Sequence, residues 1–143
     1  MRLLKISNLL HYLAKKSKRH FFVEDGPSAH FDVDDTLVCW YDIPEDCPED
    51  EIVNVTYRNL TDRLRINKYN VNLLKKLSIR HHKICVWSKG GSGWSRAVVK
   101  ALNLEDYVDV IMSKPTYYID DLKDPKEWIG KYQYYDINGK RHI

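Results

Sequence analysis

The sequence predicts an α/β domain built on a mainly parallel sheet. Three observations predict it. Short apolar runs at residues 29–33 and 83–87 have the length and composition of buried strands. Segments with helical periodicity follow both, so strand and helix alternate along the chain. Each run also ends in residues suited to a ligand: Asp32-Val33-Asp34-Asp35 after the first, Ser88 and a glycine-rich stretch after the second. In an open parallel sheet, ligands bind outside the carboxyl ends of the strands.

The elements follow in order. Residues 1–20 read as a basic amphipathic helix, with Leu3, Ile6, Leu10 and Leu13 at helical spacing and Lys15, Lys16, Lys18 and Arg19 toward its end. Cations in the last turn suit the helix dipole. Such a helix either packs on the domain with a solvated basic end or touches a polyanion such as nucleic acid. A turn-rich joint at 23–28 precedes the first strand. Between 39 and 66 the pattern changes. Pro44 and Pro48 interrupt it, and then Val53, Val55 and Tyr57 alternate with Asn54, Thr56 and Arg58, which is strand periodicity. A turn at 59–62 would lead into a second short strand at 63–66. This insert is expected to be a mobile hairpin flap beside the site, outside the core, because only one of its faces is apolar.

Asn67 is placed to cap a helix carrying Val71, Leu74 and Leu77. Trp94, Ala97, Val98, Ala101 and Leu102 mark a second periodic helix. Residues 108–112 and 116–120 are further strand candidates. A parallel crossover needs about a dozen residues, so the short link at 113–115 cannot join two full parallel strands. The 108–112 strand is therefore expected to be short or to run across the lower end of the sheet.

Composition restricts the class. Hydrophobic residues make up 43% and charged residues 30% of the 143, as in a globular domain with one modest core. No apolar stretch is long enough to span a bilayer, so no membrane partner is expected. Cys39, Cys47 and Cys85 lack the spacing of a zinc site or a disulfide framework. With no secretory signal pattern at the N-terminus, reduced thiols and a cytoplasmic setting are expected. The net charge is +3, yet the first twenty residues contain cations and no acid, so the remainder is net acidic. Glu45, Asp46, Glu49, Asp50 and Glu51 form an acidic cluster in the insert. The six histidines show no ligand spacing, and the four tryptophans read as core or pocket wall. A base-stacking role would need a tryptophan on the exposed rim of the site.

Two acidic pairs, Asp32/Asp34 and Asp120/Asp121, each close a predicted strand of one sheet. Helix or turn capping explains one such pair more readily than two. Carboxylates gathered at one rim call for a hard cation, most naturally Mg²⁺.

The residues resemble the haloacid dehalogenase-like phosphohydrolases. "DVDDTLV" is similar to their first motif, "CVWSKGG" to the second, and "YYIDD" to the fourth. The resemblance runs from about residue 29 to 121, and the compact form is similar to small stand-alone members found in bacteriophages. It implies a single Rossmann-like three-layer domain over 1–143, with residues 39–66 as a minimal cap. It also implies Mg²⁺-dependent hydrolysis of phosphomonoesters. Asp32 would be the nucleophile and Asp34 the general acid/base. Asp32, the backbone carbonyl of Asp34 and one or both of Asp120 and Asp121 would hold the metal. Ser88 and the backbone amides of Lys89 and Gly90 would hold the phosphoryl oxygens, with Gly90, Gly91 and Gly93 letting the chain come close.

Two departures are visible. Asp35 stands where many members have Gly, which asks it to adopt a left-handed turn. The phosphate-binding lysine is Lys114 by motif order. A straight strand over 116–120 would instead leave its Cα ~20 Å from the metal. Lys89 is the choice on geometry. A small cap suits bulky substrates, such as a polynucleotide phosphate end or a phosphoprotein. The competing expectation is a nucleic-acid or protein interaction module that keeps the fold without useful turnover.

Overall fold

The computed structural model describes residues 26–41, 43–125 and 129–142. The expected N-terminal helix and Trp128 lie outside the described residues. The protein is mixed α/β. Its central sheet has strand order β1-β5-β6, with β1 spanning Ser28–Asp32, β5 Lys83–Ser88 and β6 Val110–Ser113, all parallel. Helix α1 (Lys68–Ile79) connects β1 toward β5, and α2 (Ser92–Ala101) connects β5 to β6. Both connections step the same way across the sheet. Right-handed crossovers therefore carry both helices to the same face.

That face holds the core. Phe31, Ile84 and Val86 from the strands pack with Val71 and Leu74 of α1 and Trp94, Val98 and Val99 of α2 in one buried cluster. Asn67 caps α1 as its sequence position predicts: its side chain accepts the Asn70 N–H at 3.1 Å. At the lower end of the sheet, Asp109 ties β6 to β5 by accepting the Ile84 N–H at 2.8 Å. The strand is short, as expected, but it does not stay at that lower end. Its last residue, Ser113, pairs with Ser88 at the upper rim.

The insert corrects the flap expectation. β3 (Ile52–Tyr57) and β4 (Leu60–Ile66) form an antiparallel hairpin, and β2 (Val38–Cys39) adds to the far side of β4. The turn is Arg58-Asn59, with φ of 50° and 64°, tighter and earlier than the turn expected at 59–62. Positive φ at both central residues matches the right-handed twist of the flanking strands. Val55 and Leu64 are 0% and 1% exposed and belong to the main core. One apolar face is enough because that face lies on the domain rather than in water. Tyr57 packs so closely on α2 that a Cβ at Gly93 would come within 2.7 Å of its hydroxyl.

The acidic cluster is largely consumed by this hairpin and by α1. Arg63 pairs with Glu49, Arg65 with Glu51, and Lys68 with Asp50. The Lys68 ammonium holds the Asp50 carboxyl below the usual carboxylate range. A small C-terminal hairpin, β7 (Tyr134–Tyr135) with β8 (Arg141–His142), lies against α1 through the Tyr69 and Tyr135 rings, whose centroids are 5.1 Å apart. Among the described residues no helix is long and apolar enough to cross a membrane.

Candidate functional site

The site grows from the end of β1. Val33 is fully buried, while Asp32 and Asp34 on either side of it stay partly exposed, as alternation along an extended chain requires. The chain then turns sharply. The N–H groups of Thr36, Leu37 and Val38 all donate to the Val33 carbonyl, and Asp35 N–H donates to Val38 O at 2.8 Å. Asp35 has φ of 54°, a left-handed conformation that aspartate adopts more readily than most side chains. This loop is bolted to the start of α1. Asn67 N–H donates to Leu37 O, and the Asn70 side-chain amide donates to Thr36 O at 2.9 Å and to Tyr135 O at 3.3 Å.

Asp34 is the most firmly held carboxylate of the rim. Its Oδ2 accepts the Ser88 hydroxyl at 2.9 Å. Its Oδ1 accepts two indole N–H groups, from Trp40 at 2.8 Å and Trp94 at 3.0 Å. Ser88 is fully buried, and its oxygen also accepts the Gly90 N–H at 2.9 Å. The Ser88 hydroxyl and the Gly90 amide, both expected to hold phosphate, are therefore spent within the chain in this arrangement. The glycines serve the backbone. Gly91, with φ of 95°, starts α2 in a conformation that side chains rarely adopt.

The course of β6 decides which lysine stands beside Asp32. Because β6 itself reaches the upper rim, residue 114 emerges there: Lys114 N–H donates to Ser88 O at 2.9 Å, and its ammonium lies 2.9 Å from Asp32 Oδ1. The geometric objection to Lys114 assumed that residues 116–120 formed the strand beside the site, and that assumption fails. Lys89 is exposed, and its side chain makes no hydrogen bond or ion pair among the described residues.

Residues 116–120 correct the last expected strand. They pair with nothing in a sheet, and Tyr117 and Ile119 are 82% and 99% exposed. The two residues between Ser113 and Thr116 are too few for a crossover, and Pro115 lacks a ladder donor. Asp120 turns back on its own segment, accepting the Leu122 N–H at 2.8 Å. Asp121 is exposed. Among the described residues no three acids, histidines or cysteines come together to hold a metal. Asp32 and the Asp120/Asp121 pair, the carboxylates expected to hold Mg²⁺, are therefore not brought together with Asp34. Asp32 is already paired with a cation, and both oxygens of Asp34 accept hydrogen bonds. As arranged, these residues do not fit a Mg²⁺ site.

The two indole donors on Asp34 have no counterpart in the sequence reading. A buried indole needs an acceptor, but nothing in the spacing of the four tryptophans singles out Trp40 and Trp94. Chemically, the rim combines an anionic oxygen beside an ammonium, a second carboxylate fixed by three donors, and an open side toward solvent. No family model matches this chain, and no curated protein or solved structure does.

Proposed function

We propose that the protein hydrolyses phosphomonoesters through a covalent aspartyl-phosphate on Asp32, as the haloacid dehalogenase-like resemblance implies. The observation that carries the reading is the Lys114–Asp32 pair at 2.9 Å, at the carboxyl ends of parallel strands and beside a fixed Asp34. A carboxylate facing an ammonium is the arrangement that receives a phosphoryl group, whose oxygens the ammonium attracts and whose phosphorus the carboxylate attacks. Asp32 forms the bond to phosphorus as the ester oxygen leaves. Asp34 gives that oxygen its proton, then takes one from the water that attacks the acyl phosphate, releasing phosphate and restoring Asp32. Oδ2 is the Asp34 oxygen suited to this exchange, because it accepts one donor where Oδ1 accepts two. The reading carries with it a Rossmann-like three-layer domain, of which the described residues supply the parallel sheet and one helical layer.

A second reading has its own support. The rim side chains are mutually satisfied and, among the described residues, no group of three acids gathers for a metal, which suits a binding module without turnover. Release of phosphate from a generic phosphomonoester separates the two. It is measured with wild type and Asp32→Asn, with added Mg²⁺ and with chelator. Turnover in wild type that is lost in Asp32→Asn supports the hydrolase; binding of the ester without turnover under either metal condition supports the module. The chelator arm is needed because the resemblance implies the ion while the described arrangement does not build its site.

A further inference from the structure

Trp40 meets the condition for a stacking platform. It stands on the rim itself, with its indole N–H on Asp34 Oδ1 at 2.8 Å. Its ring stacks on Trp94 at 5.6 Å between centroids and 30° between planes, and its backbone N–H donates to Asp35 at 3.2 Å. Even so, 40% of its surface remains in solvent, whereas Trp94 behind it is 6% exposed. An exposed indole held by its N–H and by stacking, on a backbone that is itself hydrogen-bonded, is pre-organised, so a planar ligand laid against it pays little ordering entropy. The edge of the ring is one hydrogen bond from Asp34, so a group stacked on it would lie beside the rim that would receive the phosphoryl group.

We propose that Trp40 is a specificity-determining residue and that the substrate's phosphate is attached to a nucleoside, whose base stacks on the exposed Trp40 ring. This rests on the phosphoryl reading of the rim. Stacking tolerates any base, since every base offers a π-face. The same chemistry is presented by a free nucleotide and by the phosphorylated end of an oligonucleotide. Arg58, whose guanidinium lies 5.1 Å from the centroid of Tyr57 in the same aromatic cluster, offers a cation to a strand that continues past the first nucleotide.

Equilibrium binding of a nucleoside monophosphate, a phosphorylated oligonucleotide and glycerol phosphate to the full chain tests this, with Trp40→Phe and Trp40→Leu alongside. Phe keeps the ring and loses the N–H; Leu loses both. The base-carrying ligands are expected to bind roughly ten-fold or more tightly than glycerol phosphate. Trp40→Phe should keep most of that ratio and Trp40→Leu should bring it close to one, while glycerol phosphate changes equally in both variants. Tighter binding of the oligonucleotide, lost in Arg58→Ala, identifies a strand end as the source; equal binding identifies the free nucleotide. A wild-type ratio near one, or a ratio that survives Trp40→Leu, overturns the proposal. Base-dependent binding with no hydrolysis of any ligand leaves the platform intact and removes the hydrolase reading instead.

Discussion

Residues 29–35 and 116–121 are both short, partly aromatic apolar runs that end in adjacent acids, and they have opposite fates. The first is β1 and its loop, paired residue by residue with β5 from Ser28↔Lys83 to Asp32↔Trp87. The second joins no sheet and exposes Ile119 almost completely. The difference lies in what surrounds them. β1 has a partner strand, a helix that caps itself on Asn67, and a loop nailed to that cap by Asn70. The later run follows Pro115 directly after β6, with no crossover to bring it back. An acidic pair after an apolar run marks a site only where the chain can return to build the neighbour.

The sharpest way to break this comparison is at the acids themselves. Asp32→Asn is expected to reduce turnover to background with the thermal unfolding midpoint nearly unchanged, because the amide is no nucleophile and the ion pair it removes is partly solvated. Near wild-type turnover would remove Asp32 from the reaction. Leu64→Ala should cost about 2–5 kcal/mol in chemical denaturation, as for any large core truncation. Leu60→Ala, at the exposed end of the same strand, should stay within about 0.5 kcal/mol. Equal small losses would return the hairpin to the status of a loose flap.

Smaller effects sharpen the picture of the rim. Lys114→Ala should raise KM for a phosphomonoester about ten-fold, the scale of one charge-assisted hydrogen bond, and Lys89→Ala should leave KM near wild type. The reverse order would mean that the ligand sits on the α2 side of the rim. Asn67→Ala should lower stability by about 1 kcal/mol through loss of the cap, read from the denaturation midpoint. Least of all, Asp120→Ala and Asp121→Ala should leave both turnover and its response to Mg²⁺ close to wild type. A large loss at Asp121 would show that this segment folds onto the site when substrate is present.

The parallel sheet, the two helices of the described residues and the Asn67 cap were legible in the sequence because each rests on local patterning: apolar runs, helical period, a polar residue at a helix start. The hairpin was legible as strands but not as core. Its turn depends on Arg58 in a left-handed conformation, which arginine rarely marks, and its burial depends on Tyr57 finding Gly93 of a distant helix. At the rim, Asp32, Asp34 and Ser88 came from motif spacing. Lys114 was misplaced by the geometric argument because one strand was assumed where the chain has none. The indole donors on Asp34 were out of reach, since contacts between residues 34, 40 and 94 are a product of the fold and leave no periodic trace.

If Asp32 carries a phosphoryl group during turnover, as proposed, that adduct can be trapped. Wild-type protein mixed with a phosphomonoester is quenched in acid within the first turnover, and its peptides are analysed by mass spectrometry. A phosphoryl adduct is expected on the peptide containing Asp32 and should be absent in Asp32→Asn. Turnover with no adduct there, or with the adduct on another residue, would contradict the proposal.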